Sequence, residues 1–146
     1  KAVGAGSNSL EWVEAFDVLP EDETDPEPIA IRKFEADSKL LAAAHRTQHL
    51  YQKGKVVEGT IGSADVWNNE LDRIHFFYQN YGTSVEEMEA ASVAQIASQF
   101  NVPFIGVRVV SNNITNGGSY DAGTGEACQD FVLEVAEQYM SEQLKD

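Results

Sequence analysis

The chain has 146 residues, 42% apolar and 10% aromatic, with 10 Lys and Arg against 24 Asp and Glu, a formal net charge of −14. That length holds one core rather than two, and the apolar share excludes a disordered chain. The acidic excess excludes a nucleic-acid backbone as partner, since that surface needs stripes of Lys and Arg; a small neutral ligand is indifferent to the field.

Residues 1–8, KAVGAGSN, read as a strand end and turn; one Gly-Ala-Gly is too short for a phosphate loop. Trp12, Val13, Phe16 and Val18 form an apolar patch. The acid cluster of residues 21–27 lies among Pro20, Pro26 and Pro28, so it reads as a solvated, protease-accessible loop rather than a cation site. Residues 37–51 predict a helix capped by Asp37 or Ser38, with Leu40, Leu41, Ala44, Thr47, Gln48 and Tyr51 on one face. His45 and His49 stand at metal-pair spacing on it. No third ligand is evident, and two surface or half-buried histidines are the plainer reading.

Residues 55–61 predict a strand, followed by a loop, 62–69, dense in polar and aromatic groups: Ser63, Asp65, Trp67, Asn68 and Asn69. An indole beside amides suits a flat, hydrogen-bonding ring. Alternatively Trp67 plugs the core and the amides cap the next helix, 70–79, whose inward residues are Leu71, Ile74, Phe77 and Tyr78. His75 within it packs or faces solvent.

The chain is organised around residues 84–113. Val85, Met88, Ala91, Ser92, Gln95, Ile96 and Phe100 recur at helical spacing, and Ser84 with Glu87 has the pattern of a capping box. Residues 102–110 are then almost continuously apolar and β-branched, as in a strand of a parallel sheet covered on both faces, with Pro103 at its start. Such a unit brings a carboxylate and an amide to one rim of a sheet, where open α/β folds hold their ligands. The glycine-rich loop 115–125 is either a closing lid or a plain connection. Residues 127–144 predict a last helix with Phe131, Val132, Val135, Tyr139 and Met140 inward. Cys128, the single cysteine, reads as a small buried or half-buried thiol, with an interchain disulfide or a catalytic thiol as the alternatives. Asn113-Ile114-Thr115 matches a glycosylation acceptor, whose use would crowd the rim. No signal peptide, membrane-spanning run or initiator Met is visible.

Glu87-Met88-Glu89-Ala90, Ala94-Gln95, Val102-Pro103-Phe104, Arg108 and Ser111 together resemble the nucleoside phosphorylase and nucleosidase superfamily, nearest its methylthioadenosine/S-adenosylhomocysteine nucleosidase branch. Residues 59–69, GTIGSADVWNN, resemble that family's purine-pocket strand and loop. The resemblance implies an α/β fold with a mixed, largely parallel sheet flanked by helices. It implies that residues 1–146 are the C-terminal portion of a single domain, with the N-terminal half absent from this chain, either processed onto a separate chain or trimmed. The implied activity is cleavage of a purine nucleoside, by hydrolysis of a 5′-thio-substituted adenosine or a relative, without metal or cofactor. Location is cytoplasmic, with secretion and processing the alternative; the usual assembly is a homodimer, and neither nucleic acid nor membrane is a partner.

By the same resemblance Glu89 grips the ribose hydroxyls and Met88 packs on the sugar. Trp67 stands where a base-stacking Phe is expected, and the backbone of Asn68 faces the base edge. Glu89 alone also reads as a charge favoured by a helix N-terminus. The family's nucleosidases carry Asp directly after the serine; here Asn112 follows Ser111. An amide donates a hydrogen bond but transfers no proton. The exchange points to altered base preference, toward a phosphorylase of 6-oxopurines, or to a non-catalytic nucleoside-binding or storage protein.

Overall fold

The computed structural model describes residues 16–18, 29–31, 33–114, 117–121 and 123–144. The glycine-rich start, Trp12, the acid cluster of 21–27 and Thr115 lie outside them. The chain divides into two units, one of Lys1–Glu35 with Ile61–Val102, the other of Ala36–Thr60 with Pro103–Asp146.

In the first unit, β1 (Phe16–Val18) pairs antiparallel with β2 (Ile29–Ile31), Asp17 opposite Ala30. β3 (Thr60–Ser63) pairs with β4 (Thr83–Glu87) in a parallel sheet, the two joined through helix α2 (Leu71–Tyr81). A parallel pair needs such a crossover, because its strands must enter from the same end. Gly62 lets β4 approach: a Cβ there would stand 3.1 Å from Thr83 Cγ2. Phe77 is the buried residue of α2, edge-on to Phe76 at 5.8 Å and under the Arg73 guanidinium at 6.0 Å. The helix stops at Gly82, whose φ of 67° is the left-handed conformation that glycine adopts without Cβ strain. Leu71 and Tyr78, expected inward, are exposed.

Helix α3 (Ala90–Gln99) follows β4, with Ala90 and Ala94 buried. It ends in a Schellman motif. Val102 N–H donates to Ala97 O at 2.8 Å, Asn101 N–H donates to Ser98 O at 3.2 Å, and Asn101 takes φ 52°. The helical start expected at Ser84 is corrected. Residues 84–87 lie in β4, with Thr83, Val85 and Glu87 half-buried and Ser84 and Glu86 exposed. That alternation is the strand period, which here outweighs the capping-box spacing.

In the second unit, α1 (Ser38–Thr47) runs into a 3₁₀ turn, Gln48–Leu50. Asp37 caps it as expected, its carboxylate accepting from Lys39 N at 3.0 Å and Leu40 N at 2.9 Å. α1 packs on α4 (Gly123–Gln143). Small Ala43 and Ala44 meet Phe131 and Val135, and Tyr51, Val56, Ile105, Val107 and Tyr139 close around them. Tyr51 meets the Phe131 ring edge-on at 5.8 Å. Buried Thr47 spends its hydroxyl on Ala43 O, 3.0 Å. At the helix ends Arg46 grips Glu142 with two bonds, 2.7 and 2.6 Å. α4 starts earlier than its apolar stripe suggests. Asp121 accepts from Gly123 N at 2.9 Å and so caps the glycine-rich segment into the helix. Val132 and Met140, expected inward, are exposed.

Residues 102–110 form no strand among the described residues, and Val102 and Val110 are each 55% exposed. The expectation of a strand covered on both faces is therefore corrected. Beyond the Val102 bond that ends α3, the segment is tied by Asp37 N to Phe104 O at 2.8 Å, and it turns Ile105 and Val107 onto the helix pair. Apolar composition marks a strand only where neighbours offer it a ladder. The strand expected over 55–61 is likewise shorter and later, at Thr60–Ser63.

Phe131→Ala should destabilise the helix pair by about 3 kcal/mol, the usual cost of emptying a buried aromatic site. Leu133→Ala, at a position 63% exposed on the same helix, should cost under about 0.5 kcal/mol. Urea unfolding of both variants measures the contrast.

Candidate active site

The carboxyl ends of β3 and β4 carry the polar groups of the first unit. Parallel strands end on one rim, and there the chain leaves the sheet with backbone groups unspent. Ser63 ends β3 and Glu87 ends β4. Ser63 Oγ donates to Glu87 Oε1 and accepts from Ala91 N at 3.0 Å. The Glu87 carboxylate accepts from Ala90 N at 2.9 Å and from Glu89 N at 3.1 Å. It thus meets the first N–H groups of α3, where a negative charge is most favoured. Met88 and Glu89 form the turn between the strand and the helix, and both are exposed. Glu89 stands at the N-cap with φ −125° and contributes no side-chain cap.

The loop after β3 lies along the same rim. Ala64 N donates to Glu87 O at 3.1 Å, and Asn68 Nδ2 donates to Glu86 Oε2 at 2.9 Å. The second bond fixes the amide's orientation and leaves Asn68 Oδ1 buried with no hydrogen-bond partner among the described residues. Trp67 is 65% exposed, so the alternative in which it plugs the core is set aside. Its indole N–H donates to Asn69 Oδ1 at 3.1 Å, which holds the ring on the rim. Thus Trp67, Asn68, Met88 and Glu89 stand on one loop and one turn joined by backbone and side-chain bonds.

Ser111 and Asn112 belong to the second unit and are half-buried. Ser111 Oγ donates to Asn112 Oδ1 at 3.0 Å, and Ser111 O accepts from Asp121 N at 3.0 Å. The first of these bonds fixes which way the Asn112 amide turns, and its Nδ2 can donate. Asn113 closes a bridge with Gly118, 2.9 Å from Gly118 N to Asn113 O.

Other polar groups are engaged elsewhere. His45 faces Glu58, 3.1 Å, whereas His49 Nδ1 meets Arg46 O, 2.9 Å, so the two histidines do not share a partner. No cluster of three or more His, Cys, Asp or Glu able to hold a metal occurs among the described residues. A cavity of about 50 Å³ lies between Leu41, His45, Gln48, Val56, Val57 and Glu58. It is too small for a nucleoside, since ligand pockets run from roughly 300 Å³ upward. No helix among the described residues is long and apolar enough to cross a membrane.

A family model described as the phosphorylase superfamily matches residues 9–143. The chain belongs to that superfamily. This superfamily member has the α/β class expected of the nucleoside phosphorylase-like fold. It is similar to the 5′-methylthioadenosine/S-adenosylhomocysteine nucleosidase of Shewanella pealeana, 35% identical over 89 residues, which are 60% of this chain and 39% of that protein. The enzyme of the same name from Desulfotalea psychrophila is 31% identical over 118 residues, 78% of this chain and 49% of its own. That from Bacillus licheniformis is 36% identical over 80 residues, 54% and 35% respectively. The superfamily member thus spans less than half the length of each of these relatives.

Ser63 and Glu87 escape a reading of the sequence as partners because they meet across two strands. The period-two pattern of Thr83, Val85 and Glu87 is the signal that would have put Glu87 on the half-buried face of β4.

Cys128 is half-buried, and burial pushes its thiol above the ordinary range while the Arg108 cation pulls it partly back. A thiol raised in the folded state stabilises the fold below its ordinary pKa, and that contribution is lost as pH rises through the raised value. Iodoacetamide at pH 8 should therefore alkylate the native thiol more slowly than the unfolded one. Arg108→Ala should slow it further; faster labelling in that variant would contradict the assignment.

Proposed function

We propose that the protein cleaves the N-glycosidic bond of a purine nucleoside, hydrolysing a 5′-thio-substituted adenosine or a close relative. The observation that carries this reading is the rim described above, where an exposed indole and an exposed carboxylate flank the joined ends of β3 and β4. The names of the relatives point to the same substrate class. In the reaction the C1′–N9 bond breaks, its electron pair leaves with the purine, and a water oxygen bonds to C1′. One water proton ends on the base and the hydroxyl remains on the sugar.

Each residue has a part in that chemistry. Glu89 accepts two hydrogen bonds from the ribose hydroxyls and its charge offsets the cationic character of the sugar as the bond stretches. Met88 packs on the sugar. Trp67 stacks on the purine, and the backbone of Asn68 meets the base edge. Asn112 donates from Nδ2 to the departing base and so stabilises its negative charge without delivering a proton. Ser111 holds the amide in that orientation. The protein acts as a cytoplasmic homodimer, with the exposed Val93, Ile96 and Phe100 of α3 available to a second copy.

A second reading has its own support. Ser111 takes one lone pair of Asn112 Oδ1, the amide's Nδ2 can donate, and a 6-oxopurine offers acceptors at both O6 and N7. That chemistry suits a phosphorylase of oxopurine nucleosides, or a binding protein that holds them without turnover.

Incubation with 5′-methylthioadenosine, adenosine and inosine, each with and without phosphate, separates these outcomes. Free adenine released without phosphate is expected. Strict dependence on phosphate and preference for inosine would favour the second reading, and no base from any substrate would remove the enzyme. Glu89→Ala should lower kcat/KM by about a hundredfold, the loss of roughly 2.7 kcal/mol of transition-state stabilisation. Unchanged turnover would refute the role of Glu89.

A further inference from the structure

We infer that Ser63, acting through Glu87, is a positioning residue for the Met88–Glu89 turn. The inference rests on the nucleosidase reading and deepens it. The geometry is local to the first unit. Ser63 Oγ is at once a donor to the Glu87 carboxylate and the acceptor for Ala91 N, 3.0 Å. The same carboxylate accepts from Glu89 N at 3.1 Å and from Ala90 N at 2.9 Å to one oxygen and 3.1 Å to the other. One hydroxyl and one carboxylate therefore hold three consecutive amides, those of Glu89, Ala90 and Ala91.

The consequence for Glu89 follows from where these bonds fall. The Glu89 side chain makes no cap to its own helix, so its backbone is fixed by Glu87 rather than by itself. Glu87 in turn lies on the half-buried face of β4, where the Ser63 hydroxyl from β3 meets its carboxylate. Gly62, next to Ser63, permits the close approach of β4 that this contact requires. Ser63 touches no substrate in this scheme; it sets the backbone from which the ribose-binding carboxylate projects. A substrate-gripping group displaced by a fraction of an ångström loses stabilisation most where charge develops, so the effect falls on turnover more than on ground-state binding.

Ser63→Ala and Ser63→Thr in the complete protein test this. Threonine keeps the hydroxyl and suits a strand. Amide hydrogen exchange at Glu89, Ala90 and Ala91 should accelerate about tenfold in the alanine variant and return close to wild type in the threonine variant. With 5′-methylthioadenosine as substrate, kcat should fall about tenfold in the alanine variant with KM changed less than twofold, and threonine should restore it. Unaltered exchange at the three amides overturns the joint. Faster exchange with unaltered kcat overturns the positioning role and leaves Ser63 a helix cap only. If the wild-type protein turns over no nucleoside, the nucleosidase reading fails by itself. The exchange rates at Glu89, Ala90 and Ala91 then decide: acceleration in the alanine variant, reversed by threonine, supports Ser63 as the residue that positions the turn, and unaltered rates overturn it.

Discussion

The contact between the Ser63 hydroxyl and the Glu87 carboxylate is the constraint on which the rest of the candidate site depends. A helix that begins directly after a strand leaves its first N–H groups without internal partners. In this chain a single carboxylate, braced by a hydroxyl from the neighbouring strand, supplies those partners. The turn between Glu87 and Ala90 is thereby short and tied down, and the two residues it exposes are Met88 and Glu89. The loop after β3 is fastened to the same strand end through Ala64 and Asn68. Fixed backbone with exposed side chains is the combination a binding rim needs, because order is established before the ligand arrives.

The second unit solves a different problem. Its helices α1 and α4 meet through alanines on one side and Phe131 and Val135 on the other, which allows close packing around the Phe131 ring. The bidentate Arg46–Glu142 pair fixes how far along each other the helices sit. Its exposed position makes it a register marker more than a source of stability. The Ser111–Asn112 bond belongs to this unit and has its own logic, the fixing of an amide's orientation by its neighbour's hydroxyl.

Much of this was legible in the chain, for identifiable reasons. The Asp37 cap, the body of α2 and the Phe131–Val135 stripe are local patterns found where their spacing places them, whereas α2 runs two residues past the expected end at Gln79, to the stop at Gly82. Ser84 to Glu87 misleads because the spacing of a capping box also fits a strand of alternating burial. Glu87 does cap α3, but from the end of a strand and with Ser63 as its brace rather than Ser84. Residues 102–110 have the composition of a covered strand, yet a strand is a property of pairs, and one segment cannot announce its neighbours. Site residues divide the same way. Glu89 and Asn112 stand out by likeness to family motifs; no hydrophobic period marks them. The role of Ser63 depends on a contact between strands separated by a helix, which no local pattern encodes.

The central claim is that the loop after β3 forms one wall of a nucleoside site. The chain has two tryptophans, Trp12 and Trp67, so Trp12→Phe leaves Trp67 as the only indole reporter. Titration of that variant with 5′-methylthioadenosine should quench its emission saturably, at the same midpoint that calorimetry gives for binding, because a purine stacked on an indole perturbs its excited state. Emission that stays constant while calorimetry records binding would put the nucleoside elsewhere and contradict the account.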